Sequence, residues 1–113
     1  MQVTVFYEDW QMDCCGDPFA IGDVVDWSCR LPNAGEREMI DCDYWYEAHL
    51  DSEFDIVGEI VEIYRIDFER KNGENDLPLF TAYQKTPIQS VQHSMSANGF
   101  LVTLSNAKIE KDQ

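Results

Sequence analysis

A chain of 113 residues, 44% of them apolar, is of ordinary size for one domain and can bury roughly 65% of its unfolded surface. Three Trp, five Tyr and six Phe distributed along it argue against disorder, although 27% of the residues are charged. The formal net charge of −14 disfavours direct binding to DNA or RNA, and no run approaches the roughly 18 apolar residues of a membrane helix.

The charge is uneven. Residues 1–62 hold sixteen Asp or Glu against Arg30 and Arg37 alone, a balance of −14, whereas residues 63–113 hold six acids and six bases. Solubility by itself accounts for such a half; the functional reading is attraction of a basic protein surface or a cation. The opening MQVTVFYEDWQMD has neither the basic nor the apolar region of an export signal. A cytoplasmic location is therefore expected, with Cys14, Cys15, Cys29 and Cys42 as thiols. No repeat or low-complexity stretch divides the chain, so residues 1–113 read as one domain.

Val3, Val5 and Tyr7, alternating with Gln2, Thr4 and Phe6, predict a first strand. In EDWQMDCCGDP, residues 8–18, the acids, Gly16 and Pro18 break any period and predict a long loop. A Gly22-Asp23 turn within Phe19–Trp27 precedes a Val- and Trp-rich second strand, which Pro32, Asn33 and Gly35 end. Between Glu36 and His49, the spacing of Met39, Ile40, Tyr44, Trp45 and Ala48 fits a short helix.

Phe54, Val57, Val61, Tyr64 and Phe68 fall at helical steps of three and four. The same window holds four Ile, two Val and Gly58, and its near-alternation from Glu59 to Ile66 needs only one bulge to come into register. A long, bent strand is the expectation. Asn72-Gly73 reads as a turn and Leu79–Tyr83 as a strand. Ile88–Ser94 and Phe100–Leu104 read as a hairpin about Asn98-Gly99, where a tight turn needs positive φ. These elements predict a mainly β fold, a small barrel of Src-homology-3-like or oligonucleotide-binding-like type, with five or six short strands and one short helix.

Cys14, Cys15, Cys42 and His49 are chemically suited to zinc, although no C-x-x-C or H-x-x-x-H pair is present and buried thiols explain the cysteines equally. No cofactor other than zinc is suggested. A thiol nucleophile would have only His49 or His93 as its base, and Glu8, Asp9, Asp13 and Asp17 beside Cys14 and Cys15 would raise the thiol pKa. Carboxylate pairs are too abundant for any one to mark catalysis. No phosphate loop, dinucleotide fingerprint or nucleophile elbow occurs, and no catalytic residue is assigned. Tyr44, Trp45 and Tyr46, with Trp10, are candidate interface aromatics; core packing is the competing role, and Trp10 stands out because it lies in a polar stretch.

Tyr7–Phe19, YEDWQMDCCGDPF, followed by Gly22-Asp23, Val25 and Trp27, resembles the opening of small uncharacterised bacterial proteins. The resemblance implies a bacterial origin and an unassigned role, and directs attention to Trp10–Gly16. Three functional expectations follow from the sequence as a whole. The first is a non-enzymatic interaction domain that meets a basic protein surface through Trp10 and Tyr44–Tyr46, without membrane or direct nucleic-acid binding. The second is a small zinc protein. The third is a nucleic-acid mimic that blocks a DNA-binding enzyme.

Overall fold

The computed structural model describes residues 1–48, 52–72 and 78–111, with backbone alone for residues 70–72 and 78–82. In chain order the elements are β1 (Val3–Glu8), α1 (Asp9–Cys15), β2 (Phe19–Ala20), β3 (Val24–Arg30), α2 (Ala34–Met39), β4 (Tyr44–Tyr46), β5 (Phe54–Asn72), β6 (Pro78–Ile88), β7 (Ser90–Val91) and β8 (Gly99–Lys111). Strands β3, β4, β1, β8 and β5 are hydrogen-bonded neighbours in that order, and β5 pairs again with β3, so five strands close into a ring. The mainly β expectation holds. None of the described helices is long and apolar enough to cross a membrane.

The 19 residues of β5 make the closure possible. Its first part, Phe54–Glu59, pairs with β3, and Ile63–Asn72 pairs with β6, while β8 runs along it from Phe54 to Ile66. A strand that bends this far must change register. Opposite Gly58, β8 carries one extra residue, because Val57 pairs with Lys108 but Glu59 with Ser105; near Val61 the extra residue is in β5. Each bulge reverses which parity of residue points inward. Thus Ile56 and Ile60 share the main core with Ile63, and Phe100, Val102 and Leu104 share it with Ala107. The reversal within β5 accounts for the step of three from Val61 to Tyr64; the helical spacing as a whole marks no single face, since Phe54 packs on the main core, Val57 and Val61 are exposed, and Tyr64 and Phe68 join the second cluster.

Two apolar clusters result from strand alternation. Val3, Val5 and Tyr7 point into the ring with Trp27, Cys29, Ile60 and Phe100; Phe6 points the other way and joins Ile40, Cys42, Trp45, Ile66 and Leu101. The pair β2 and β7 adds Phe19 and Val91 to the main cluster.

Several local expectations need correction. Asp9–Cys15 is helical, in a segment read as loop; two turns burying Asp9, Gln11 and Met12 are too short to produce a visible period. The expected 36–49 helix is only Ala34–Met39. It starts at a capping box in which Asn33 and Glu36 exchange hydrogen bonds of 2.8 and 2.9 Å, and it ends where Ile40 becomes extended. Tyr44–Tyr46 is strand, in keeping with its aromatic composition. Residues 88–104 do not form the expected hairpin, because β7 pairs with β2 and β8 with β1 and β5. Asn98 acts as a clamp: its carbonyl accepts from Asp9 N, its N–H donates to the Ile66 carbonyl, and its side chain accepts from Phe68 N. The turn expected at Asn72-Gly73 lies partly outside the described residues.

Candidate functional site

Helix α1 stands between two cavities. One, of about 380 Å³, is lined by Tyr7, Phe19, Trp27 and Tyr46 with Cys15, Asp17, Asp23 and Asp26. The other, of about 400 Å³, is bounded by Phe6, Trp10, Trp45 and Phe68 with Glu8, Asp9 and Asp13, and by Met39, Ala97 and Asn98. Among the described residues each lining thus contains three carboxylates, and neither contains a lysine or arginine. The bases of β8, Lys108 and Lys111, stand far along the ladder, opposite Val57 and Phe54.

The second cavity is built with more fixed parts. Glu8 ends β1, and its two carboxylate oxygens accept from two indoles, Oε1 from Trp45 Nε1 at 2.6 Å and Oε2 from Trp10 Nε1 at 2.7 Å. One side chain therefore sets two aromatic walls. Trp45 is buried and packs on Phe6 at 4.6 Å between centroids, while Trp10 is 52% exposed. Arg30 approaches Trp45 at 5.7 Å from its centroid and makes a bidentate pair with Glu36 at 2.6 and 2.8 Å. That contact occupies one of the two cations of the acidic half.

Helix α1 is anchored by a buried amide. Gln11 is fully buried; its Nε2 donates to the Tyr46 carbonyl at 2.9 Å and its Oε1 accepts from Ala48 N at 3.1 Å. On the far side of the helix, Asp13 Oδ1 accepts from Ser94 N at 2.7 Å and His93 Nε2 lies 2.8 Å from the Gly16 carbonyl. Trp10 and Asp9 are consequently held in place by their neighbours on the helix.

Asp9 is the unusual member. It is only 9% exposed, and its Oδ1 is buried with no hydrogen-bond partner among the described residues. Burial holds its carboxyl above the usual carboxylate range, with repulsion from Asp13 adding to the shift and Arg65 opposing it. Arg65 is already engaged: Nε pairs with Asp67 at 2.9 Å, and its Nη atoms donate to Met95 and Ser96 carbonyls at 3.0 and 3.3 Å.

A family model described as a family of unknown function (DUF6578) matches residues 1–106. The chain belongs to this family. No curated protein and no solved structure matches it. The match spans almost the whole chain, in keeping with an uncharacterised domain, and every residue lining either cavity falls inside it.

The candidate interface residues do not form one group. Because β4 is a strand, Tyr44 and Tyr46 turn toward the main core, Tyr44 against Phe54 and Tyr46 stacked on Tyr7 at 3.9 Å, whereas Trp45 faces the opposite side. Trp10 and Trp45 share the second cavity, and Tyr46 lines the first. Glu8, Asp9 and Gln11, which complete the site, were not singled out from sequence as site residues. The available signal was their place in the acidic stretch beside Trp10.

The described members of the proposed metal set, Cys14, Cys15 and Cys42, are likewise not grouped as a metal site. Cys14 and Cys15 are joined in a disulfide between adjacent residues, contrary to the expectation of thiols. Cys42 is buried beside Phe6 and Ile40, and burial pushes its thiol up to about 12. His49 lies outside the described residues. Among those described, no three His, Cys, Asp or Glu side chains are grouped to hold a metal ion.

Proposed function

We propose that the protein is a non-enzymatic interaction module whose acidic amino-terminal half docks a basic segment of a partner protein at the Trp10 cavity. The observation that supports this reading is the pair of indoles held by Glu8 around a cavity that also carries Asp9 and Asp13. Presetting aromatic walls before binding removes part of the ordering cost of association. Trp is also the residue most often dominant in such contacts. The −14 balance of residues 1–62 would speed the encounter with a cationic partner.

Calorimetric titration with a peptide of alternating glycine and arginine tests the reading. Binding is expected to weaken steadily as salt rises, and Trp10→Ala is expected to lower affinity by about tenfold or more. A salt-insensitive interaction, or an affinity unchanged by Trp10→Ala, would remove the proposal.

A further inference from the structure

Resting on the docking reading above, we infer that the Trp10 cavity seats one arginine side chain of the partner, with its guanidinium paired to the Asp9 carboxylate and stacked on the Trp10 indole. Asp9 lines the cavity and is nine-tenths buried as a residue, and its Oδ1 is buried without a hydrogen-bond partner among the described residues. A buried carboxylate oxygen in this state favours a donor that arrives with positive charge. The guanidinium that acts on Asp9 among the described residues, that of Arg65, is committed to Asp67, Met95 and Ser96. Among the described residues no uncommitted donor faces this oxygen, and the guanidinium of a partner would supply one.

Arginine fits this place better than lysine. A guanidinium is planar, weakly hydrated and able to stack on an aromatic face while donating two parallel hydrogen bonds, whereas an ammonium holds its water strongly. The molecule already uses this arrangement next door, where Arg30 lies over Trp45 and takes Glu36 with two bonds. A volume of about 400 Å³ accommodates one long side chain rather than a folded segment.

Three tryptophans provide the readout, since Trp10 and Trp45 border this cavity and Trp27 borders the other. The full chain is titrated with N-acetyl-arginine methylamide while the three indole N–H resonances are followed by NMR. The Trp10 and Trp45 signals are expected to move and the Trp27 signal to stay. The lysine counterpart should bind more weakly and the neutral citrulline counterpart should leave all three signals in place. Asp9→Asn, which keeps the side-chain shape, should weaken the arginine probe by about tenfold.

Acid supplies a second measurement on the unaltered protein. Affinity should fall as pH is lowered through the Asp9 titration, above the usual carboxylate range, with Glu8, Asp13, Arg65 and Asp67 as the charged neighbours. Equal response to citrulline, movement of Trp27 in place of Trp10, or an unaltered affinity in Asp9→Asn would overturn the inference. If the glycine–arginine peptide still binds in a Trp10-dependent way while the probe and Asp9→Asn show nothing, the arginine seat falls and the docking reading stands. Absence of peptide binding removes both.

Discussion

Gly99→Ala is expected to destabilise the fold by about 3 kcal/mol, a large share of the stability of a domain this size. Gly99 begins β8 opposite Glu8, at the point where that strand crosses the end of β1. A Cβ there would fall 2.8 Å from the Tyr7 carbonyl and would also meet the Phe6 ring. The carbonyl belongs to paired backbone and cannot move away alone, and Phe6 is buried against Trp45. The requirement is close approach rather than dihedral freedom, since Gly22 is the one glycine with positive φ among the described residues. Chemical denaturation of the variant measures the effect. A loss smaller than about 1 kcal/mol would mean that β1 and β8 are not packed this tightly.

Gln11→Leu should have a similar effect, about 2–3 kcal/mol, for a different reason. Leucine fills much of the same volume but makes neither hydrogen bond, which leaves the Tyr46 carbonyl unpaired and removes the partner of Ala48 N. The amide is also what ties α1 to the end of β4, so the variant should release Trp10 and Asp9 together. Denaturant midpoints and peptide affinity are both expected to drop in Gln11→Leu, while Gln11→Glu at low pH, where the neutral acid can donate and accept, should recover part of the stability. Unchanged stability would show that Met12 packing and the Asp13 and Gly16 contacts hold the helix without Gln11.

The elements that could be read from sequence were those with a persistent pattern. Val3–Glu8 shows plain alternation, and the β-branched content of Phe54–Phe68 outweighed its helical spacing because helical propensity and burial pointed in different directions. The two bulges that reconcile the pattern depend on how β5 and β8 align, and residue spacing within one strand does not contain that information. Helix α1 was hidden for a related reason. Its stability comes from Gln11 and Met12 meeting distant segments, with Met12 in the main core and Gln11 bonded to residues 35 and 37 positions away. The aromatic triplet was legible as important but not as divided, since a helix would have placed its members around an axis and a strand sends them to opposite faces. Charge asymmetry identified the half of the chain that carries both acidic cavities. That Asp9 Oδ1 has no partner among the described residues depends on Arg65 being occupied by Asp67 and the 95–96 carbonyls, a tertiary arrangement that residue order does not contain.

Asp9 is expected to have opposite effects on stability and on binding. A carboxyl whose folded pKa lies above its unfolded value weakens the folded state when ionised, and the penalty fades as pH falls through the folded pKa toward the unfolded one. At pH 7 the penalty is present. Thermal melting of the natural protein and Asp9→Asn at that pH, each with and without the glycine–arginine peptide, therefore separates the two effects. The prediction is that free Asp9→Asn melts higher than the natural protein, and that the peptide raises the melting temperature of the natural protein while leaving Asp9→Asn nearly where it was. A variant that melts lower and is stabilised by the peptide as much as the natural protein would contradict the assignment of Asp9 as the anionic seat.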